Sequence, residues 1–364
     1  MNNAKARLSV GVWLLLVALV CQSKAQTHSD LDSQYSITAY DVPPGTSAGT
    51  ADGTMIFLRK NELVKLDLSE NRLVSIPIET IEIRSWTYGN GSVWILGKSK
   101  GVSGVHRLDA QTGKVISRIP LAYRRREAIS YGFGSLWKFS VSLFSSPEPV
   151  FRIDPESKEV SRIDTGGLFN GQLEISEGKV WLLGLIDGTV KCFDPLSSKV
   201  VDEFSVGAKH DNSLVKQQFR GGTYSYAIGE GTVWVRESLG SKGDRFVLSG
   251  FDVKTHERVT KLESDAALWG PVIWKGSVWI STRGDSQRGH YIAKIDPKLG
   301  HTVGRILIPV RPGDNQESVF LPPMLFADDN SLWALSSNPW SHKSPLIVRR
   351  IQLKSEEEGR SGSQ

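Results

Sequence analysis

The 364-residue chain is predicted to be all-β, a seven-bladed β-propeller of four-stranded blades. Three observations predict it. A turn followed by Val/Leu-Trp recurs at Gly91-Ser92-Val93-Trp94, Gly134-Ser135-Leu136-Trp137, Gly178-Lys179-Val180-Trp181, Gly231-Thr232-Val233-Trp234, Gly276-Ser277-Val278-Trp279 and Asn330-Ser331-Leu332-Trp333. A second segment, ending in an apolar residue and Asp, follows as Val105-His106-Arg107-Leu108-Asp109, Phe151-Arg152-Ile153-Asp154, Lys191-Cys192-Phe193-Asp194, Ser249-Gly250-Phe251-Asp252 and Ala293-Lys294-Ile295-Asp296. The Trp positions lie 43 to 54 residues apart, a period that holds several short strands and marks a propeller.

Residues 1–25 carry Lys5 and Arg7, an apolar run from Val10 to Cys21, and Ser23-Lys24-Ala25, the pattern of a signal peptide cleaved after Ala25. A secreted or periplasmic mature chain starting at Gln26 is expected, with no transmembrane segment after cleavage. The apolar run falls short of the roughly 20 residues that span a bilayer as a helix, so a retained anchor is the weaker reading. Cys21 leaves a lipoprotein reading, against which Val20 stands where that processing wants a small residue. Loss of Lys5, Arg7 and Lys24 with no acidic residue lowers the formal net charge from +5 to +2. So balanced a chain has no basic stripe for nucleic acid. Cys192 is then the sole cysteine, in the strand-like Thr189-Val190-Lys191-Cys192-Phe193, and reads as a buried small hydrophobe.

The propeller is expected over residues 26–354. Its first element, a strand over about 35–43, contains Ser36-Ile37-Thr38-Ala39-Tyr40-Asp41-Val42-Pro43, which resembles the internal fourth strand Val115-Ile116-Ser117-Arg118-Ile119-Pro120. The last blade ends at Ile347-Val348-Arg349-Arg350-Ile351-Gln352-Leu353 without a fourth strand. The N-terminal strand is therefore predicted to complete it and remove an exposed edge. The first blade is a degenerate copy, Gly53-Thr54-Met55-Ile56-Phe57-Leu58 followed by Val64-Lys65-Leu66-Asp67, with Phe57 in the Trp place. In every blade the Trp segment reads as the second strand and the Asp-terminated segment as the third. Each Asp opens a tight reversal by accepting backbone N–H bonds. One carboxylate per turn is too few oxygens for calcium. Residues 355–364 form a charged, Gly/Ser-rich tail of disordered composition.

First-to-second and third-to-fourth connections are short and alike, whereas second-to-third and fourth-to-first loops vary, and both variable sets fall on one face. Binding chemistry belongs there. Those loops supply the ligand-binding candidates Arg125, Gln172, Gln218, Arg220, Trp269 and Trp340, in a set richer in cations than carboxylates. Arg pairs bidentately with carboxylate or phosphate, so a small-molecule, glycan or protein ligand at the channel mouth is expected. The recurring Trp residues are assigned to packing between blades. No nucleophile elbow, His-Glu-x-x-His, phosphate-cradling loop or paired Cys motif is present. His290, His342 and Glu317 are the catalytic candidates; no metal site and no cofactor are predicted.

At its Gly-Ser-Val-Trp and Arg-Ile-Asp-Pro segments the chain resembles the seven-bladed propellers of the virginiamycin B lyase and YVTN-repeat superfamily, over Tyr35 to Leu353. The resemblance to the lyase implies metal-assisted, water-free opening of a cyclic lactone by His and carboxylate residues at the channel mouth, with a divalent metal such as Mg. Lyase blades tend to begin with Pro-His-Gly-like segments; here those positions read Glu127-Ala128-Ile129, Gln172-Leu173-Glu174 and Pro271-Val272-Ile273, so no catalytic His is carried over. Quinone-cofactor propellers share Leu108-Asp109-Ala110-Gln111-Thr112-Gly113-Lys114, but their following Trp is replaced by Ile116 and Ser117. A ligand-binding propeller, a lyase-like enzyme and a structural module of an envelope assembly are the three functional expectations.

Overall fold

The computed structural model describes residues 29–31, 34–42, 47–124, 126–141, 148–166, 169–184, 188–206, 224–239, 245–264, 268–282, 289–309, 323–336 and 346–354. The signal-peptide and tail assignments lie outside them. Seven antiparallel sheets follow one another along the chain, each blade running from an inner first strand to an outer fourth. Blades 1 to 6 span residues 47–77, 82–120, 127–163, 171–205, 224–264 and 268–308, and blade 7 begins at residue 324. Among the described residues no helix is long and apolar enough to cross a membrane.

The blade motif is held by contacts within its own sheet. In the first-to-second turn both central residues have positive φ, as at Asn90 and Gly91 (51° and 64°) or Lys275 and Gly276 (48° and 67°). This is the two-residue hairpin geometry whose twist matches the flanking strands. Three residues after the turn Gly, Trp94, Trp137, Trp181, Trp234 and Trp279 are buried between blades, as is Trp333 in blade 7. The indole N–H of Trp94, Trp137, Trp181 and Trp279 donates to the carbonyl five residues earlier, at 3.1 to 3.3 Å; Trp333 instead donates to Asp328 Oδ2 at 2.6 Å. Directly across the sheet stand Arg107, Arg152, Lys294 and Arg350. Each places its cation 4.8 to 5.9 Å from the centroid of its own blade's Trp ring. The three arginines also donate Nε–H to Ser92, Ser135 and Ser331. Serine, tryptophan and the basic residue of the repeat are thus one unit: the indole fills space, its N–H is satisfied, and the guanidinium caps its face.

The Asp turns behave as expected. Asp109, Asp154, Asp194, Asp252 and Asp296 each accept backbone N–H bonds from the residues two and three positions on. These bonds hold the carboxyls below the usual range. Cys192 is buried, and loss of hydration pushes its thiol up to about 11, which makes it inert.

One assignment in blade 1 is corrected. Ile56, not Phe57, occupies the Trp place: Ile56 pairs with Lys65 as Trp94 pairs with Arg107. Ile56 packs toward blade 2 and Phe57 toward blade 7. The larger aromatic pulled the sequence register one residue too far.

The ring closes as predicted. Tyr35–Val42 pairs antiparallel with Leu346–Leu353 over eight residue pairs, giving blade 7 its fourth strand. A further element was not foreseen. Ser29–Asp30 adds a parallel fifth strand to the outer edge of blade 6, opposite Gly304 and Arg305. Leu31 then enters the core between blades 6 and 7 with Tyr35, Trp274, Trp279 and Ile306. A side chain at Gly304 would meet Leu31 at 2.4 to 2.8 Å. Ser117, Asp202 and Thr260 stand at the corresponding register of blades 2, 4 and 5, so the glycine belongs to the strap.

Candidate functional site

The inner edge of each first strand has no fifth strand to bond, and its backbone groups need partners. Side chains of the preceding blade supply several. Ser85 Oγ accepts from Ile129 N–H and Thr87 Oγ1 from Tyr131 N–H, both at 3.2 Å. Glu174 Oε1 accepts from Ile228 N–H at 3.0 Å, and Ser176 Oγ donates to Ile228 O at 3.1 Å. These contacts tie neighbouring blades together around the channel.

Strand register divides the channel wall into levels. The residues opposite the Trp place are Gly49, Thr87, Ser130, Glu174, Ala227, Val272 and Phe326. Glu174 is the one charged member. Nearer the variable face the corresponding level is Ser47, Ser85, Ala128, Gln172, Ser225, Trp269 and Met324. All but Ala227 are at least partly exposed, so solvent reaches both levels. Crowding by protein around the Glu174 carboxyl costs it bulk hydration, and with the nearby Glu177 this pushes its pKa up to about 7, against the opposing bond from Ile228.

The variable connections leave from anchored stems. Between blades 1 and 2, Glu79 is bound by Arg118 at 2.6 and 2.8 Å, by Ser99 at 3.0 Å and by Lys100 at 3.2 Å. Burial works to raise its pKa, but these partners outweigh it and hold the carboxyl below its ordinary range. Between blades 2 and 3, Glu127 accepts from Arg124 N–H at 2.7 Å and pairs with Lys138, both side chains being 5% exposed. Lys138 also lies 4.8 Å from the Phe151 ring centroid. Lys191 donates to Thr165 O between blades 3 and 4, Arg236 to Leu268 O between 5 and 6, and Arg349 to Pro309 O between 6 and 7, at 2.8 to 3.2 Å. Loss of hydration lowers the Arg236 pKa to about 10.

Of the sequence candidates, Gln172 and Trp269 fall on the same channel level, on either side of Ser225, and both belong to first strands instead of loops. His290 is corrected likewise. It is the first residue of the third strand of blade 6, pairs with Ile308 and is 5% exposed, because Gly289 turns the chain into the sheet with φ 112°. Arg125, Gln218, Arg220, Glu317, Trp340 and His342 lie outside the described residues. The described His–carboxylate pair, His256 with Asp202 at 2.8 Å, joins the turn of blade 5 to the outer strand of blade 4 on the opposite face. No group of three or more metal-ligating side chains occurs among the described residues.

The charge of the loops does not reveal the strand-borne anchors. A detectable signal existed. Lys138 follows Trp137 where the other Trp blades place Ile95, Leu182, Val235, Ile280 and Ala334, and Arg236 stands two after Trp234 where they place Leu96, Phe139, Leu183, Ser281 and Leu335.

Comparison with known proteins agrees on architecture. The chain is similar to the WD40 domain of Neurospora crassa Pan2, with TM-score 0.58, 12% identity and coverage of 89% of this chain and 98% of that one. It is also similar to the WD40 domain of Toxoplasma gondii coronin, with TM-score 0.55, 12% identity and 90% of each chain covered. The computationally designed Ika8 protein matches with TM-score 0.52 and 10% identity, over 85% of this chain and 83% of that one. At these identities the likeness is of fold. No protein-family model and no curated protein sequence matches the chain.

Proposed function

We propose that this protein is a secreted or periplasmic binding propeller that takes a small-molecule, glycan or protein ligand at the variable-loop face, without a resident cofactor. The observation that carries this reading is the anchoring of five fourth-to-first connections by ionic or cation-to-carbonyl contacts. Charged groups placed in or beside the blade cores are costly; here they fix the stems of a face whose loops differ in length and chemistry. Rigid stems with diverse loops are how a repeat scaffold presents a recognition surface.

The test is a binding screen on the mature chain, using a glycan array, acidic peptides and cross-linking in an envelope extract. It is repeated with Arg125→Ala, Arg220→Ala and Trp340→Ala combined. Specific binding lost in the combined variant, or in substitutions inside the channel mouth, supports the reading, and capture unchanged by both sets overturns it.

The virginiamycin B lyase-like reading stays within the same superfamily proposal and assigns His290 or His342 as base, with Glu317 near a divalent metal such as Mg. The burial of His290 disfavours it as an open base at the mouth. Incubation with a cyclic depsipeptide lactone and Mg decides: a ring-opened product without added oxygen establishes the lyase, and intact lactone removes it. An envelope-assembly role would instead use the rim, where Ile116, Val201 and Val259 are exposed on outer strands.

A further inference from the structure

Three first strands place a distinct set of side chains on neighbouring levels of the channel. Gln172, Ser225 and Trp269 share the level nearer the mouth, in blades 4, 5 and 6, and Glu174 stands one step below Gln172 on the same side of its strand. Alternation makes this so, because residues two apart on a strand share a face. Their hydrogen-bonding capacity is not used up within the described protein. Glu174 binds Ile228 N–H through Oε1 alone, and no described donor reaches Oε2. The buried Ser225 Oγ has no partner among the described residues. The partly exposed Gln172 amide and Trp269 indole likewise make no hydrogen bond to described residues. Elsewhere the same level carries Ser47, Ser85, Ala128 and Met324, and Ser47 and Ser85 are already engaged by Trp86 Nε1 and Ile129 N–H.

We propose that Gln172, Glu174 and Trp269 form a saccharide subsite inside the channel mouth, for a neutral hydroxyl-rich ring. The chemistry matches group by group. An amide both donates and accepts, and a carboxylate oxygen accepts from a sugar hydroxyl. An indole face offers an apolar platform with a polar edge, suited to the C–H face of a pyranose. A ligand of this kind needs several donors and acceptors on one side and apolar carbon on the other, which is the combination these two levels hold. This subsite rests on the binding reading above and names the ligand class for it.

Glu174 gives the subsite a pH dependence. The charged group acting on it is Glu177, in its own blade's turn. The facing first strand, Tyr224–Gly229, has no charged residue; the paired second strand has Lys179 at its foot, and the preceding blade's first strand has Glu127 at the mouth. The carboxylate accepts a sugar hydroxyl best when ionised, so affinity rises as pH passes upward through about 7.

The experiment is isothermal titration of the mature chain with maltotriose, cellotriose and chitotriose at several pH values between 5.5 and 8.5, a range of about three units around that midpoint. Binding of at least one sugar, weakened about tenfold or more in Trp269→Ala and Gln172→Ala and made independent of pH in Glu174→Gln, is the expected result. Thermal melts of the three variants confirm folding, and Gln172→Ala retains the test if Trp269→Ala fails to fold. Absence of sugar binding, or binding of spermidine in its place, overturns the subsite. Sugar binding that survives the channel variants but is lost in the Arg125, Arg220 and Trp340 variant overturns the subsite and leaves the binding face standing. Binding lost in neither set overturns both.

Discussion

Replacing Leu31 by Ala tests whether the N-terminal strap holds blade 6 as the geometry requires. Leu31 is 5% exposed, and its side chain lies where a Cβ on Gly304 would stand. Truncating a buried Leu removes about 2 to 3 kcal/mol of burial. The strap can detach by itself, so its own net contribution caps the loss, and about 2 kcal/mol is the expected value after the ordering cost of a few residues. With an unfolding entropy near 2.1 cal/mol/K per residue over about 320 residues, this corresponds to a drop in Tm of about 3 °C.

The sharper form is a double-mutant cycle with Gly304→Ala. In the parent the new methyl collides with Leu31 and releases the strap, so Gly304→Ala alone costs about as much as Leu31→Ala, again about 2 kcal/mol. In the Leu31→Ala background the collision is gone, and the second substitution adds little. The expected coupling is therefore about 1 to 2 kcal/mol, read by urea denaturation, with exchange at whichever of the Gly304 and Arg305 amides faces away from the third strand reporting strap release directly. Additive costs, or unchanged exchange at that outward-facing amide in Leu31→Ala, would refute the strap.

Three further expectations follow from the same contacts. Deleting residues 26–44 removes the outer strand of blade 7 together with Tyr35, Tyr40 and Val42 from two cores; loss of cooperative melting by circular dichroism is expected, and an unchanged transition refutes ring closure. Lys138→Met strands the Glu127 carboxylate and is expected to cost about 3 to 5 kcal/mol, whereas Lys138→Met with Glu127→Gln recovers most of it by the same denaturation assay; a double variant no better than the single refutes the pairing. Glu174 has a folded pKa raised to about 7, above its unfolded value, so the folded state holds the proton more tightly. Its contribution is fully present below the unfolded value of 4.5, is lost as pH rises through about 7, and levels off above that. Glu174→Gln should flatten the decline in stability between about pH 5 and 8, and an unchanged pH profile of urea midpoints refutes the assignment.

How much of this was legible depends on what each residue repeats. The Trp segment, its hairpin glycine and the Asp turn recur because each blade solves the same packing and backbone problem, and such features show in one sequence as a period. Closure was legible for a related reason: Leu346–Leu353 ends without the strand that every other blade has, and Tyr35–Val42 has the alternation of that missing strand. Among the described residues the Ser29–Asp30 strap makes two residue pairs, and it repeats nothing, so its trace in the sequence is confined to Leu31 and a glycine in an outer strand.

The candidate site is not marked by charge in the loops. Loop cations are common on any surface, but a Lys after Trp137 or a Glu opposite Trp181 interrupts a pattern that the other blades keep. Those departures emerge only when the blades are aligned to the residue, and the one-residue slip at Phe57 shows how easily a large aromatic displaces that alignment. With Ile56 in the Trp place, Gly49 joins Thr87, Ser130 and Glu174 on one level. The carboxyl of Glu174 then does more than replace Thr87. Both accept an N–H from the next blade, but a hydroxyl meets that need without risking a charge in the channel. The second carboxylate oxygen is surplus to closing the ring, and that surplus is what makes Glu174 a recognition group as well as a link between blades.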